Sequence, residues 1–329
     1  MKLRWLLLAV LLVATLVPAG SVTAARALDL SGGIWVRLVA FTPYAGILYA
    51  VALLLLVPLA VRGRGLGRGA ARAVGAVATV GLLAHAYWAS APFLGASAAE
   101  ASGHGRLQVM NSNLLLGQAD AAQVVEVAVA HDVDVLVLQE VTPAALSGLR
   151  AAGIGRHFRH QAGRAEGGAG GTMVFSAFQL RHVERLDTAL GGYAMHLVAP
   201  GGGLRLLAVH PRPPIGDASA WWSDQRVIRK AARKGRTPAM IVGDLNATMD
   251  HLPLRELVGR GYQDAATQAT SGWQPTWPAA GEVSRFGIPV PSLLPIDHVF
   301  LGVGIRASTT ESVTVDGTDH RALVAAVTR

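Results

Sequence analysis

The 329-residue sequence contains no cysteine, which excludes disulfide staples, thiolate zinc sites and a cysteine nucleophile together. Charge is scarce as well. Asp, Glu, Lys and Arg make up 15% of the chain, against roughly 25% in an ordinary soluble domain. Acids are nearly missing from the first third, where residues 1–99 hold eight Lys and Arg but a single carboxylate, Asp29. No Gly-x-x-x-x-Gly-Lys loop occurs, which counts against nucleotide-driven transfer, and the lack of a Gly-x-Ser-x-Gly elbow counts against a serine hydrolase.

What is abundant is apolar surface, at 51% of residues. Leu6–Gly20 follows Lys2 and Arg4; residues 38–61 and 73–95 then run without Asp, Glu, Lys or Arg. A bilayer core takes about 20 apolar residues in a helix, so the second and third runs read as membrane spans. The first, over about residues 3–20, is a further span or a leader, since Ala25-Arg26-Ala27 has the look of a signal-peptidase site. Arg62, Arg64, Arg68 and Arg72 lie between the last two spans, and the positive-inside rule puts them in the cytoplasm. The chain after residue 95 is then expected outside it, with a small, polar linker over 96–106 and a separate domain over 107–329. His85, inside the third span, reads as a neutral imidazole beside Tyr87 and Trp88 rather than a functional group.

The formal charge of +8 does not point to nucleic acid. The first 99 residues carry +7 of it and the rest +1, with 21 basic and 20 acidic residues. A nucleic-acid binder carries its excess on the binding domain. The basic run Arg226, Arg229, Lys230, Arg233, Lys234, Arg236 has helical spacing and reads as a solvated face.

From residue 107 short strand-like runs alternate with Gly, Pro and polar turns. Strands are expected near 107–110, 134–138, 172–175, 194–198, 204–209, 239–242, 296–301 and 322–327. Helices are expected near 121–130, 144–150, 219–234 and 252–258, giving a mixed α/β sandwich. The segment 163–171, Gly-Arg-Ala-Glu-Gly-Gly-Ala-Gly-Gly, is expected to be a mobile surface loop. The segment 281–294 carries Phe286, Ile288, Val290, Leu293 and Leu294, and is expected to pack over the sandwich edge or to form a wall for an apolar tail.

Polar residues sit at the ends of the apolar runs: Asn113, Glu140, His210, Asp244 with Asn246, Asp297, and Asp319-His320. Each is weak evidence alone. Asp244 and Asn246, two apart on an extended chain, point the same way, and the ordered set is hard to obtain by chance. These types suit phosphate ester cleavage, which needs a hard cation on oxygen ligands, an in-line water and donors on the phosphoryl oxygens.

The set resembles the endonuclease/exonuclease/phosphatase superfamily over residues 107–329. The resemblance rests on the Asn-ending first strand, Leu138-Gln139-Glu140, Gly243-Asp244-Leu245-Asn246-Ala247, Ile296-Asp297-His298 and Asp319-His320. Gly171–Ser176, Tyr262-Gln263-Asp264-Ala265 and Pro275-Thr276-Trp277-Pro278 also agree. It implies a four-layered α/β sandwich of the DNase I-like kind. Glu140 would ligate Mg²⁺ (or Mn²⁺), with Asn113 and Asp319 beside it. His320, oriented by Asp297, would be a general base or a phosphate-side imidazole. Asp244 would position or deprotonate the attacking water, and Asn246 and His210 would donate to phosphoryl oxygens. Three departures bear on the substrate: Thr318 precedes the closing pair where Ser is frequent, Pro295 stands two before Asp297 where Arg is frequent, and His298 follows it in place of an aromatic.

Spans plus this domain resemble a bacterial cell-membrane group that includes a teicoplanin-resistance protein. That implies a multi-pass, extracytoplasmic phosphohydrolase whose partners are the lipid bilayer and a lipid-linked phosphate of the envelope. A surface nuclease acting on DNA or RNA, and an inactive membrane-tethered binding module, remain as alternatives. No protein partner is inferable.

Overall fold

The computed structural model describes residues 2–94, 105–235, 239–279, 281, 284–285 and 288–329. The chain divides into two compact units: residues 1–91 with 250–252, and residues 92–249 with 253–329. The expected linker 96–106 and Phe286 fall largely or wholly outside the described residues.

The first unit holds helices α1 (Lys2–Ala27), α2 (Gly33–Val39), α3 (Thr42–Arg62) and α4 (Gly65–Ala89). Three of them are long and apolar enough to cross a membrane. The first run is one continuous helix that continues through Ala25-Arg26-Ala27, well past the expected residue 20. The four-Arg loop is corrected too. Arg62 ends α3 and only Gly63 and Arg64 lie between the helices, so Arg68 and Arg72 belong to α4. Arg68 folds back, donating from Nε to Gly63 O at 2.7 Å and from Nη2 to Val61 O at 3.3 Å. It thereby satisfies carbonyls that a helix end leaves orphaned. Ala19, Val22, Ala45, Tyr49 and Ala78 form the shared interior of α1, α3 and α4. Gly81 admits the Tyr49 ring, which a Cβ there would meet at 2.5 Å.

After the short α5 (Ala91–Leu94), the second unit runs through β1 (Leu107–Asn113), α6 (Ala121–Ala130), β2 (Val135–Gln139), α7 (Pro143–Ala151), α8 (Ile154–His157), β3 (His160–Arg164), β4 (Thr172–Ser176) and β5 (Gln179–Arg185). Then come β6 (Gly192–Val198), β7 (Leu204–Val209), α9 (Ser219–Ala232), β8 (Ala239–Asp244), α10 (Leu252–Val258), β9 (Gln263–Asp264), α11 (Ala265–Gln268) and the small hairpin β10 (Ser284–Arg285) and β11 (Ile288–Pro289). The chain closes with β12 (Asp297–Leu301), β13 (Arg306–Val313) and β14 (Ala322–Thr328).

Two six-stranded sheets result, ordered β13-β14-β1-β2-β4-β3 and β5-β6-β7-β8-β12-β9. Val109, Val135, Val137 and Val174 of the first pack against Leu206, Ala208, Met240 and Val242 of the second. The alternate residues Met110, Leu136 and Leu138 point outward onto Val124, Val125 and Leu149 of α6 and α7, as the two-residue period of a strand requires. Helix α9 lies against β7 of the second sheet. The fold is the expected two-sheet DNase I-like sandwich. The segment 163–171 is not a free loop: Gly163 and Arg164 pair in β3, and Gly171 O accepts from Val141 N at 2.9 Å.

Candidate functional site

In each sheet one pair of neighbours is parallel, β1 with β2 and β7 with β8, and every other pair is antiparallel. The C-terminal ends of the parallel pairs therefore share an edge with the N-terminal starts of β12 and β14. β1 ends on Asn113, beside Gln139 and next to Glu140; β7 leads into His210 and β8 ends on Asp244. Asp297, the first residue of β12, is paired with Asp244, and Asp319-His320 stand just before β14. Gly243 lets β7 and β8 approach, since a Cβ there would meet Val209 O at 1.9 Å.

All eight expected residues are brought together. Asn113 Nδ2 donates to Glu140 Oε1 and to Asp244 Oδ2, each at 3.1 Å. Its own Oδ1 accepts from Leu115 N at 3.0 Å, so Asn113 ties two carboxylates that would otherwise repel. His210 Nε2 faces Asp244 Oδ2 at 3.6 Å and Glu140 Oε1 at 3.9 Å. His320 Nδ1 bonds Asp297 Oδ2 at 2.9 Å, leaving Nε2 at 3.7 Å from Asp244 Oδ2 and 3.9 Å from Asp319 Oδ1. Asn246 donates its N–H to Asp244 Oδ1 at 2.8 Å and Nδ2 to Pro211 O at 3.0 Å. Glu140 at φ 57° and Asn246 at φ 47° hold left-handed backbone, a conformation that costs non-glycine residues energy and collects at functional sites.

The surroundings shift the acid–base character of the group. Burial pushes the Asp244 carboxyl up and the Asp297 charge adds to this, against the His320 charge and the Asn246 and Asn113 donors. Burial opposes charging His320, but the carboxylates of Asp297 and Asp244 overcome it and push the imidazole up. His210 is pushed down to about 4 by burial and then by the His320 charge. At neutral pH the edge thus holds a cationic imidazole, a neutral one and a carboxylate of raised basicity.

Four further residues were not singled out from sequence. Asn111 Nδ2 donates to Asp297 Oδ1 at 2.8 Å, and Asn111 Oδ1 accepts from Gln139 Nε2 at 2.8 Å. Thr276 Oγ1 accepts from the N–H groups of Ile296 and Asp297, each at 3.2 Å. Trp277 Nε1 donates to Asp319 Oδ2 at 2.9 Å. Their signal was available: Asn111 sits two before Asn113 on a buried strand face, and the Pro-Thr-Trp-Pro segment is part of the resemblance.

The site fits a divalent cation. The ligand atoms of Asp244, Asp297 and His320 lie within 4.8 Å of one another, although the Asp297–His320 pair already shares a proton. Asp319 Oδ1 is buried with no hydrogen-bond partner, and a hard cation is what an orphaned carboxylate oxygen accepts.

The edge can therefore hold a cation beside a carboxylate of raised basicity and an imidazolium, a combination suited to phosphoester hydrolysis. A model of the endonuclease/exonuclease/phosphatase family matches residues 110–320. The chain belongs to that family. Among solved structures, a family member from Bacteroides thetaiotaomicron is 16% identical, covers 68% of this chain and 98% of its own, and superposes with a TM-score of 0.56. D. rerio TDP2, in complex with a single-strand DNA product, gives 16%, 68%, 99% and 0.57. A family protein from Beutenbergia cavernae gives 17%, 68%, 72% and 0.51. At such identities the likeness is one of fold. No curated protein matches in sequence.

Proposed function

We propose that the protein is a membrane-anchored, extracytoplasmic, Mg²⁺-dependent phosphohydrolase acting on lipid-linked phosphate or pyrophosphate of the cell envelope. The observation that carries this reading is the union, in one chain, of the carboxylate–imidazole edge with three helices long enough to span a bilayer. A cation held by Glu140, with Asn113 and Asp319 beside it, would supply charge neutralisation at the phosphoryl oxygens.

The residues of the chain do the rest. Asp244, with its basicity raised by burial, orients the attacking water and takes its proton as the new P–O bond forms and the ester or anhydride P–O bond breaks. The shift of His320 upward favours its role as a phosphate-side imidazolium over that of a base. Asp297 fixes its orientation through Nδ1. His210 and the Asn246 amide give neutral donors for the remaining oxygens.

The substrate class follows from tethering. A site on a membrane-bound chain gains effective concentration only for substrates confined to the same surface. Polyanionic DNA favours a strongly basic domain, whereas residues 100–329 carry +1. The deciding comparison is kcat/KM on polyprenyl pyrophosphate in detergent against duplex and single-stranded DNA at 150 mM salt with Mg²⁺. A preference for DNA would favour the nuclease reading. For orientation, alkaline phosphatase fused after Arg329 should be active and the green fluorescent protein dark; the reverse would move the site to the cytoplasm.

A further inference from the structure

The Asp244–Ala247 turn carries two of the site residues, and its backbone is held in an unusual way. Three successive carbonyls each accept a bond from a buried side chain. Gln225 Nε2 donates to Leu245 O at 2.8 Å, Trp221 Nε1 to Asn246 O at 3.0 Å, and His298 Nε2 reaches Ala247 O at 2.9 Å. Trp221 and Gln225 stand four apart on α9, hence on one face, and both are 0% exposed. His298 is the second residue of β12, paired with Gly243, and its Nδ1 is held by Asp264 Oδ1 at 3.0 Å. Asp264 is itself fixed as the N-cap of α11 through Thr267 N. The turn they grip contains the left-handed Asn246.

We infer that Trp221, Gln225 and His298 are positioning residues that clamp the Leu245, Asn246 and Ala247 carbonyls and so hold Asp244 and Asn246 in register for the reaction. None of the three touches the reacting atoms. Burial alone would be served by apolar side chains of similar size. Three donors aimed at three consecutive acceptors instead fix the rotation of each peptide plane, and with it the direction of the Asp244 carboxylate. A displacement of 1 Å at such a group costs about 10²-fold in rate.

The catalytic part of this inference rests on the phosphohydrolase reading. The test therefore has two arms. Trp221→Phe, Gln225→Leu and His298→Phe are made in the full chain in detergent, each keeping bulk while removing the donor. Turnover of bis(p-nitrophenyl) phosphate with Mg²⁺ should show kcat lowered 10- to 100-fold with KM within twofold of wild type. Hydrogen exchange should rise at least tenfold at the amides of 245–248 and stay unchanged in Ala239–Val242. The unchanged strand separates loss of the clamp from loss of the fold. Wild-type exchange at the turn in the variants overturns the clamp, whatever the activity. Wild-type kcat alongside a loosened turn overturns its catalytic role. A wild-type protein that cleaves no phosphoester overturns the phosphohydrolase reading and with it the catalytic role, while the exchange arm still decides the clamp.

Discussion

His85 in the helical unit and the carboxylate–imidazole edge of the sandwich each anchor a buried polar cluster, and the two are built on opposite terms. Among the long apolar helices, His85 Nδ1 bonds Thr42 O at 2.6 Å and Nε2 bonds Thr23 Oγ1 at 2.9 Å, while Thr23 Oγ1 also meets Tyr49 OH at 2.8 Å. Trp88 packs edge-on to the imidazole at 4.9 Å. Both ring nitrogens are satisfied, and the cluster joins α1, α3 and α4 without a carboxylate. At the sandwich edge the imidazoles face carboxylates at 3.6–3.9 Å, two backbones are left-handed, and Asp319 Oδ1 accepts no hydrogen bond. A satisfied network fixes helices in place. A convergent, under-satisfied one is the arrangement that chemistry requires.

Breaking the edge should abolish activity. Asp244→Ala, Glu140→Ala and His320→Ala should each lower kcat on a phosphodiester probe by about 10²–10⁴-fold, and EDTA should remove activity that Mg²⁺ or Mn²⁺ restores. Full activity in EDTA would refute the metal assignment. Breaking the approach of the two strands should cost stability. Gly243→Ala drives a Cβ into Val209 O and should destabilise the domain by about 3 kcal/mol, read from the urea midpoint.

The pH dependence sharpens the comparison. Asp244 works as a base only when deprotonated, and its upward shift means that kcat/KM should fall on acidification well above the ordinary carboxylate range. Asp297→Asn removes the leading charge that holds His320 protonated, so the alkaline limb should move to lower pH. His298 sits apart from the reacting atoms. Burial opposes its charge, but its bond to Asp264 outweighs this and raises it. A raised group stabilises below its unfolded value of about 6.5 and loses that contribution as pH rises through the folded one. His298→Phe should therefore flatten the decline of Tm above neutral pH, and an unchanged slope would contradict this.

The smallest effect belongs to the cluster between the apolar helices. His85→Leu should destabilise the helical unit in detergent by about 1 kcal/mol and leave turnover of a soluble probe within twofold. Loss of turnover there would end the contrast between the clusters.

The same contrast explains what the sequence disclosed. The eight edge residues were legible because each interrupts an apolar run, and β2, β4, β7 and β8 were legible as those runs. The strands missed were β3, β5, β9 and β13, the four edges of the two large sheets, together with the small hairpin β10–β11. An edge strand has no need of an apolar face on both sides, and Gln179–Arg185 is exposed along nearly all its length. The segment 163–171 was misread because its glycines resemble a free loop, whereas pairing to Thr172 and Met173 orders its start. The supports of the site were harder to see. Asn111 reaches Asp297 across 186 positions and Trp277 reaches Asp319 across 42, contacts that local pattern does not encode. The four Arg residues of 62–72 read as one loop because Gly63, Gly65, Gly67 and Gly69 stand between them, whereas α4 begins at Gly65 and takes in Arg68 and Arg72.

The most direct test is phosphate release from polyprenyl pyrophosphate in mixed micelles by the wild-type full chain and by Asp244→Asn, each with Mg²⁺. The variant keeps the shape of the side chain and removes its basicity. The account predicts steady turnover by the wild type and at least a 100-fold lower kcat in the variant, with Tm little changed. Equal turnover by the two proteins would contradict it.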